Sequence, residues 1–99
     1  MAEQSAEEAA HARARAVVEN DMGTTVRFTT PEALAKGMEI GRGIMSLRYD
    51  SYEVKAQRSD GDDYIFDITY YGPEQTLTLS DRFRIIDGKW RLVDIERLG

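Results

Sequence analysis

The chain has 99 residues, no cysteine, a single histidine and a formal net charge of −5, from 18 acidic and 13 basic residues. That length fits one domain spanning residues 1–99. No disulfide and no thiolate metal site is possible, and with one histidine no metal centre is expected. The acidic balance speaks against a nucleic-acid partner, whose phosphates call for Lys and Arg. No apolar run approaches the roughly 20 residues of a membrane span. The first residues lack the basic-then-apolar order of a signal peptide, so a soluble, cytoplasmic protein with no membrane association is expected.

Ser5 to about Asp21 reads as a helix. Ser5 and Glu8 have the spacing of a capping box. Ala10, Ala14, Val17 and Val18 form one apolar stripe, and Asn20, Asp21 and Gly23 stop it. His11 sits among Arg13 and Arg15 on an alanine-rich helix, which predicts a solvated side chain. Thr24–Thr30 is β-branched and aromatic, which predicts a short strand. Thr30-Pro31-Glu32 then starts a second helix, reaching about Met45. Its expected inner stripe is Leu34, Met38, Gly41 and Met45, with Ile44 beside it. Gly37, Gly41 and Gly43 weaken such a helix by up to roughly 1 kcal/mol each relative to alanine, and close approach to a neighbour is the natural compensation.

From Ser46 the hydrophobic period changes from helical to two. Four alternating runs are separated by Asp60-Gly61, Gly72-Pro73 and Asp87-Gly88, all turn signals. A two-residue turn at Asp87-Gly88 pairs Ile85 with Trp90, Phe83 with Leu92, Asp81 with Asp94 and Leu79 with Glu96. A four-residue loop at Gly72 to Gln75 pairs Tyr70 with Leu77, Ile68 with Leu79, Phe66 with Asp81 and Tyr64 with Phe83. A three-residue turn at Asp60-Gly61-Asp62 pairs Ala56 with Phe66, Val54 with Ile68 and Tyr52 with Tyr70. All three turns send the same apolar face inward, which specifies a four-stranded antiparallel meander.

The inner face of that meander has an apolar rim, with Phe66, Phe83 and Trp90, and an acidic centre. Two carboxylates facing each other, Asp81 and Asp94, repel, and apolar neighbours disfavour charge. Both effects raise a carboxyl pKa, so a shared proton near neutral pH is expected of the pair. A protonated carboxyl in such a place donates a hydrogen bond. Tyr52 and Tyr70 lie opposite each other and would present hydroxyls at the mouth. The structural alternative is that the last strand leaves the core, with Val93 and Ile95 buried and Asp94 and Glu96 in solvent, or that a lone inward Asp81 is tied up by a backbone amide or an arginine. The outer face carries Ile65, Thr69, Thr78, Val93 and Ile95 among Arg82, Arg84, Arg91 and Arg97, a pattern that suits a homodimer interface through Ile65, Val93 and Ile95 or an ordinary solvated face.

Two helices followed by a curved meander ending in Phe83-Arg84, Asp87-Gly88-Lys89-Trp90 resemble the nuclear-transport-factor-two-like, or cystatin-like, superfamily. The nearest enzyme likeness is to the ketosteroid isomerases. The resemblance implies an α+β cone, with helices packed on the concave face of the meander and a short extra strand between them. In Ser80-Asp81-Arg82-Phe83-Arg84, Asp81 matches the protonated oxyanion-hole residue of those isomerases. The base position falls at Phe28 or a neighbour, without a carboxylate. The first helix has no tyrosine, and no pattern marks the extra helix that the family places before its short strand. No nucleotide, hydrolase or metalloprotease motif is present, and no cofactor is implied.

Three readings follow. One is a domain that binds an apolar small molecule, with Tyr52, Phe66, Tyr70, Phe83, Trp90 and Glu96 around the ligand. Another is a proton-transfer enzyme of isomerase or cyclase type, with Asp81 as electrophile and Asp94 or Glu96 as base. The third is a dimerisation module with a filled core.

Overall fold

A computed structural model describes residues 5–41 and 48–99. Among these, three helices, α1 (Ala6–Val18), α2 (Met22–Phe28) and α3 (Pro31–Gly41), precede four strands, β1 (Ser51–Asp60), β2 (Asp63–Tyr71), β3 (Thr76–Ile86) and β4 (Lys89–Arg97). The strands form one antiparallel sheet in the order β1-β2-β3-β4. The α+β meander expected from the turns is therefore present.

The start of α1 follows from its capping box. Ser5 Oγ accepts from the Glu8 amide at 3.1 Å, and Glu8 Oε1 accepts from the Ser5 amide at 3.2 Å. Two otherwise orphaned helix donors are satisfied in this way. The inner stripe of α1 contains Ala6, Ala9, Ala10 and Ala14, all buried, with Val17 and Val18 packed at its end. Small side chains bring the helix axis close to the sheet. The core lies between, built from Phe66, Ile68, Tyr70, Leu77, Leu79, Phe83, Leu92 and Ile95. Phe66 and Phe83 meet edge to face, their ring centroids 5.9 Å apart, a favoured aromatic geometry.

The strand expected at Thr24–Thr30 is a helix instead. Asp21 caps α2, accepting from the Thr24 amide at 3.2 Å and the Thr24 hydroxyl at 2.7 Å. The hydroxyls of Thr25 and Thr29 turn back to the carbonyls of Asp21 and Thr25. Local hydrogen bonding of threonine thus serves a helical turn, and tertiary docking overrides the β propensity. Only Thr29 behaves as strand, in a single parallel bridge to Leu92, with the Thr30 amide donating to the Leu92 carbonyl at 3.0 Å. Arg91 also donates to the Arg27 carbonyl, which ties the end of α2 to β4.

In α3 the inward positions are shifted from those expected. Ala33 is buried and Ile40 packs on the core, whereas Met38 is 60% exposed. Leu34 is half-buried. Ile44 and Met45 lie outside the described residues. Gly37 makes the expected close approach: a Cβ there would lie 2.9 Å from Ile95 Cδ1. In the β2–β3 loop, a Cβ on Gly72 would run into the Arg48 carbonyl oxygen.

The register of β4 on β3 holds near its turn and slips further out, whereas that of β1 on β2 departs from expectation at the turn and agrees further out. Asp87 and Gly88 have φ of 54° and 80°, as a two-residue hairpin turn with left-handed central residues requires. Ile85 pairs with Trp90 and Phe83 with Leu92, as expected. A bulge follows, so that Arg82 pairs with Asp94, Asp81 with Ile95, Ser80 with Glu96 and Leu79 with Arg97. The expected oppositions of Asp81 with Asp94 and Leu79 with Glu96 are thereby overturned. The turn between β1 and β2 holds two residues, Gly61 and Asp62, and not the three expected, so Asp60 faces Asp63 and Gln57, not Ala56, faces Phe66. A second bulge, between Val54 and Ala56, restores Val54 to Ile68 and Tyr52 to Tyr70. The pairings of β2 with β3 are those expected, including Phe66 with Asp81.

The two glycine contacts differ in kind, and so should their variants. At Gly72 the obstacle is backbone, which cannot rotate away, so Gly72→Ala should destabilise the chain by roughly 1–3 kcal/mol. At Gly37 the obstacle is the tip of an isoleucine, and alanine favours the helix, so Gly37→Ala should change stability by less than about 1 kcal/mol. Urea unfolding followed by circular dichroism checks both. Equal effects would mean that the two contacts are not distinguished by what can move.

Candidate functional site

Asp81 projects from the middle of β3 onto the concave face and is 0% exposed. Its neighbours across the sheet are Phe66 on β2 and Ile95 on β4. Above it lies Arg13 of α1, 5% exposed, with Nε 3.7 Å from Asp81 Oδ2. Arg13 occupies the helix stripe between Ala10 and Val17, so an inward position was legible from spacing alone. The arginine that ties up an inward aspartate, one of the alternatives drawn from the sequence, is this one.

The contact is ionic and too long for a hydrogen bond. Arg13 Nε, both Asp81 carboxylate oxygens and the Tyr70 hydroxyl are buried without a hydrogen-bond partner among the described residues. Tyr70, on the inner face of β2, is fully buried rather than placed at a mouth. Burial raises the pKa of Asp81, while the Arg13 charge opposes the rise and that of Asp67 adds to it. Burial likewise pushes the Tyr70 hydroxyl up, with Arg13 pulling the other way. For Arg13, burial alone would lower the pKa, but electrostatic interaction with Asp81, and to a lesser extent with Tyr70, outweighs it and the net shift is upward. The direction expected for Asp81 holds, but its charged partner is an arginine and not Asp94.

Tyr52 lies beside Tyr70 in the β1–β2 pairing. Its hydroxyl shares a 2.8 Å hydrogen bond with His11 Nδ1, and the two rings are 5.6 Å apart. His11 is half-buried, a correction to the solvated residue expected from its neighbours. The polar side chains of α1 thus meet the sheet at two levels, Arg13 on Asp81 and His11 on Tyr52.

The other expected site residues divide by face. Phe66 and Phe83 are buried in the core, and Trp90 packs half-buried at its edge, 5.5 Å from the Tyr64 ring. Asp94 is turned away from the interior by the bulge. Its carboxylate accepts from Lys36 Nζ at 2.9 Å and from the Ile95 amide at 3.0 Å, and the Lys36 hydrogen bond chiefly holds its pKa down. Glu96 is exposed and pairs with Ser80 on the outer face. Neither can act on a group beside Asp81.

The outer face also differs from expectation. Ile95 is 4% exposed and belongs to the core, so only Ile65 and Val93 of the expected apolar patch remain, both half-buried. Three arginines of this face are matched by aspartates. Arg82 reaches Asp63 at 2.7 Å and Asp60 at 2.9 Å, Arg84 reaches Asp63 at 2.8 Å, and Arg58 reaches Asp67 at 3.0 Å. Hydrogen bonds from Arg84, aided by Arg82 and opposed by burial, hold the Asp63 carboxyl down at about 2. Among the described residues no cluster of His, Asp or Glu is placed to hold a metal ion, and no helix is long and apolar enough to cross a membrane.

Comparison with protein-family models and with curated proteins finds no match.

Two carboxylates should leave opposite signatures in stability against pH. Asp63 has a lowered folded pKa, so its contribution is complete above the usual carboxylate range and is lost as pH falls towards about 2. Asp81 has a raised folded pKa, so its ionisation costs stability as pH rises above that range. Asp63→Asn should flatten the acid limb of the unfolding free energy, and a limb as steep as that of the parent would refute the assignment. In a cycle of Arg13→Met, Asp81→Asn and the double variant, each single change strands a buried partner. The double variant should be more stable than the sum of the singles implies, with a coupling of roughly 1–3 kcal/mol. Additive effects would show that the pair does not interact.

Proposed function

We propose that this chain is a small-molecule-binding domain that uses the concave face of its sheet to hold an apolar ligand. The observation that carries this reading is the convergence of Arg13, Tyr70 and Asp81, from α1, β2 and β3, with donors and acceptors unspent among the described residues. Burying polar groups without hydrogen bonds costs on the order of 1–3 kcal/mol each. Folding gains nothing from such an arrangement, since a buried ion pair is commonly no better than apolar residues of the same volume. A ligand whose polar end completes these hydrogen bonds would account for their retention. Phe66, Phe83 and Leu92 nearby suit its apolar part. The resemblance to nuclear-transport-factor-two-like domains points the same way, though a fold by itself assigns no activity.

Binding is preferred to proton transfer for a geometric reason. With Asp94 and Glu96 on the other side of the sheet, the carboxylate base that such a reaction needs has no counterpart beside Asp81 among the described residues. Asp81 then serves to orient a ligand and not to activate one.

A screen of apolar fragments against the intact chain tests this. Binding fragments should move the NMR methyl signals of Ile68, Leu79 and Leu92. At ten times its Kd a fragment adds about 1.4 kcal/mol of stability, which raises the melting temperature of a domain this size by several degrees. If no fragment moves interior signals, the domain has a filled core and the association reading takes precedence.

A further inference from the structure

Among the described residues, the interior site combines strong polarity with an ion pair of no net charge. Arg13 and Asp81 form an ion pair, 3.7 Å apart. Tyr70 beside them is kept in its neutral form by burial, and Asp67, whose charge also acts on Asp81, is itself paired with Arg58 at 3.0 Å. Their separation leaves the Arg13 Nε–H free to donate, both Asp81 oxygens free to accept, and the Tyr70 hydroxyl free to do either, among the described residues.

Charge and hydrogen-bonding capacity together restrict what fits. A carboxylate brought here would meet Asp81, and an ammonium would meet Arg13. Either would raise the interior charge from zero to one, and a buried unpaired charge is heavily penalised. A neutral group that donates and accepts through adjacent atoms avoids that penalty. Its oxygen would accept from Arg13 or Tyr70, and its hydrogen would be given to Asp81. A hydroxyl and a primary amide both have this pattern, whereas an ether or a ketone could accept but would leave Asp81 unsatisfied.

We propose that the site formed by Arg13, Tyr70 and Asp81 selects an uncharged, apolar-bodied ligand ending in a hydroxyl or a primary amide. This rests on the binding function proposed above and adds the ligand class. The ion pair acts as a charge filter: each member excludes the ions that the other would attract.

Four probes with one cyclohexyl body test it: cyclohexylmethanol, cyclohexanecarboxamide, cyclohexanecarboxylate and cyclohexylmethylammonium, titrated into the intact chain at neutral pH and followed at the Ile68 and Leu92 methyls. The alcohol and the amide should bind at least about tenfold more tightly than either ion. Comparable or tighter binding of an ion overturns the neutral-ligand inference and leaves the binding function standing. Binding of other apolar fragments but of none of the four also overturns the inference alone. Silence from every fragment removes the binding function with it. Arg13→Met should move the preference towards the ammonium, and Asp81→Asn towards the carboxylate, each by about tenfold. Folded variants with unchanged preference overturn the charge filter. Where a variant does not fold, the four titrations of the unaltered chain decide.

Discussion

A carboxylate at the centre of an apolar sheet face is the constraint around which this fold is arranged. Asp81 is enclosed by Phe66, Ile95 and helix α1, and it is paired there with Arg13. Desolvation of both ions costs several kcal/mol each, and their attraction offsets this only if they stay close. The helix must therefore be held at a fixed height over the sheet. Alanines at four inward positions of α1 permit that approach, and the capping box fixes where the helix begins.

The bulge in β4 answers the same constraint from the other edge. A continuous hairpin register would put Asp94 opposite Asp81, two carboxylates with one arginine between them. The extra residue after Leu92 puts Ile95 there and turns Asp94 outward, where Lys36 of α3 and the Ile95 amide donate to its carboxylate. Gly37 lets α3 come down onto Ile95 at that point. Bulge, lysine and glycine thus act together, and each makes sense only given the others. The two faces of the sheet consequently treat charge differently. Outside, Arg58, Arg82 and Arg84 are matched by Asp60, Asp63 and Asp67 at hydrogen-bonding distance. Inside, the Arg13–Asp81 pair and the Tyr70 hydroxyl keep hydrogen-bonding capacity unspent among the described residues.

Much of this architecture was legible in the residues. Ser5 with Glu8, the three turn signals and the period-two runs correctly give the first helix and the meander. Asp81 opposite Phe66 follows from the same reasoning, as does the need for a close neighbour at Gly37. Arg13 was legible too, since it stands on the apolar stripe of its helix, but one charged residue in a stripe does not announce which strand it will meet. His11 and Tyr52 are 41 positions apart, and nothing local couples them. Thr24–Thr30 misleads because threonine and valine favour strands in isolation, while the Asp21 cap and the threonine hydroxyls close a helical turn.

What the sequence by itself determined is the local layer: where α1, α3 and the four strands lie, that turns at Gly61, Gly72 and Gly88 join the strands, and which face of the first strands is apolar. These depend on neighbours a few residues apart, whose preferences add up within one element. Tertiary structure alone decided the register beyond Leu92 and the meeting of Arg13 with Asp81 and of His11 with Tyr52, while α2 needed its local cap and its docking on β4 together. A bulge shifts every later side chain to the opposite face at the cost of a local disruption of the ladder. It is settled by whether Asp94 finds Lys36 and whether Ile95 finds the core, and those are free energies of contact between elements far apart along the chain.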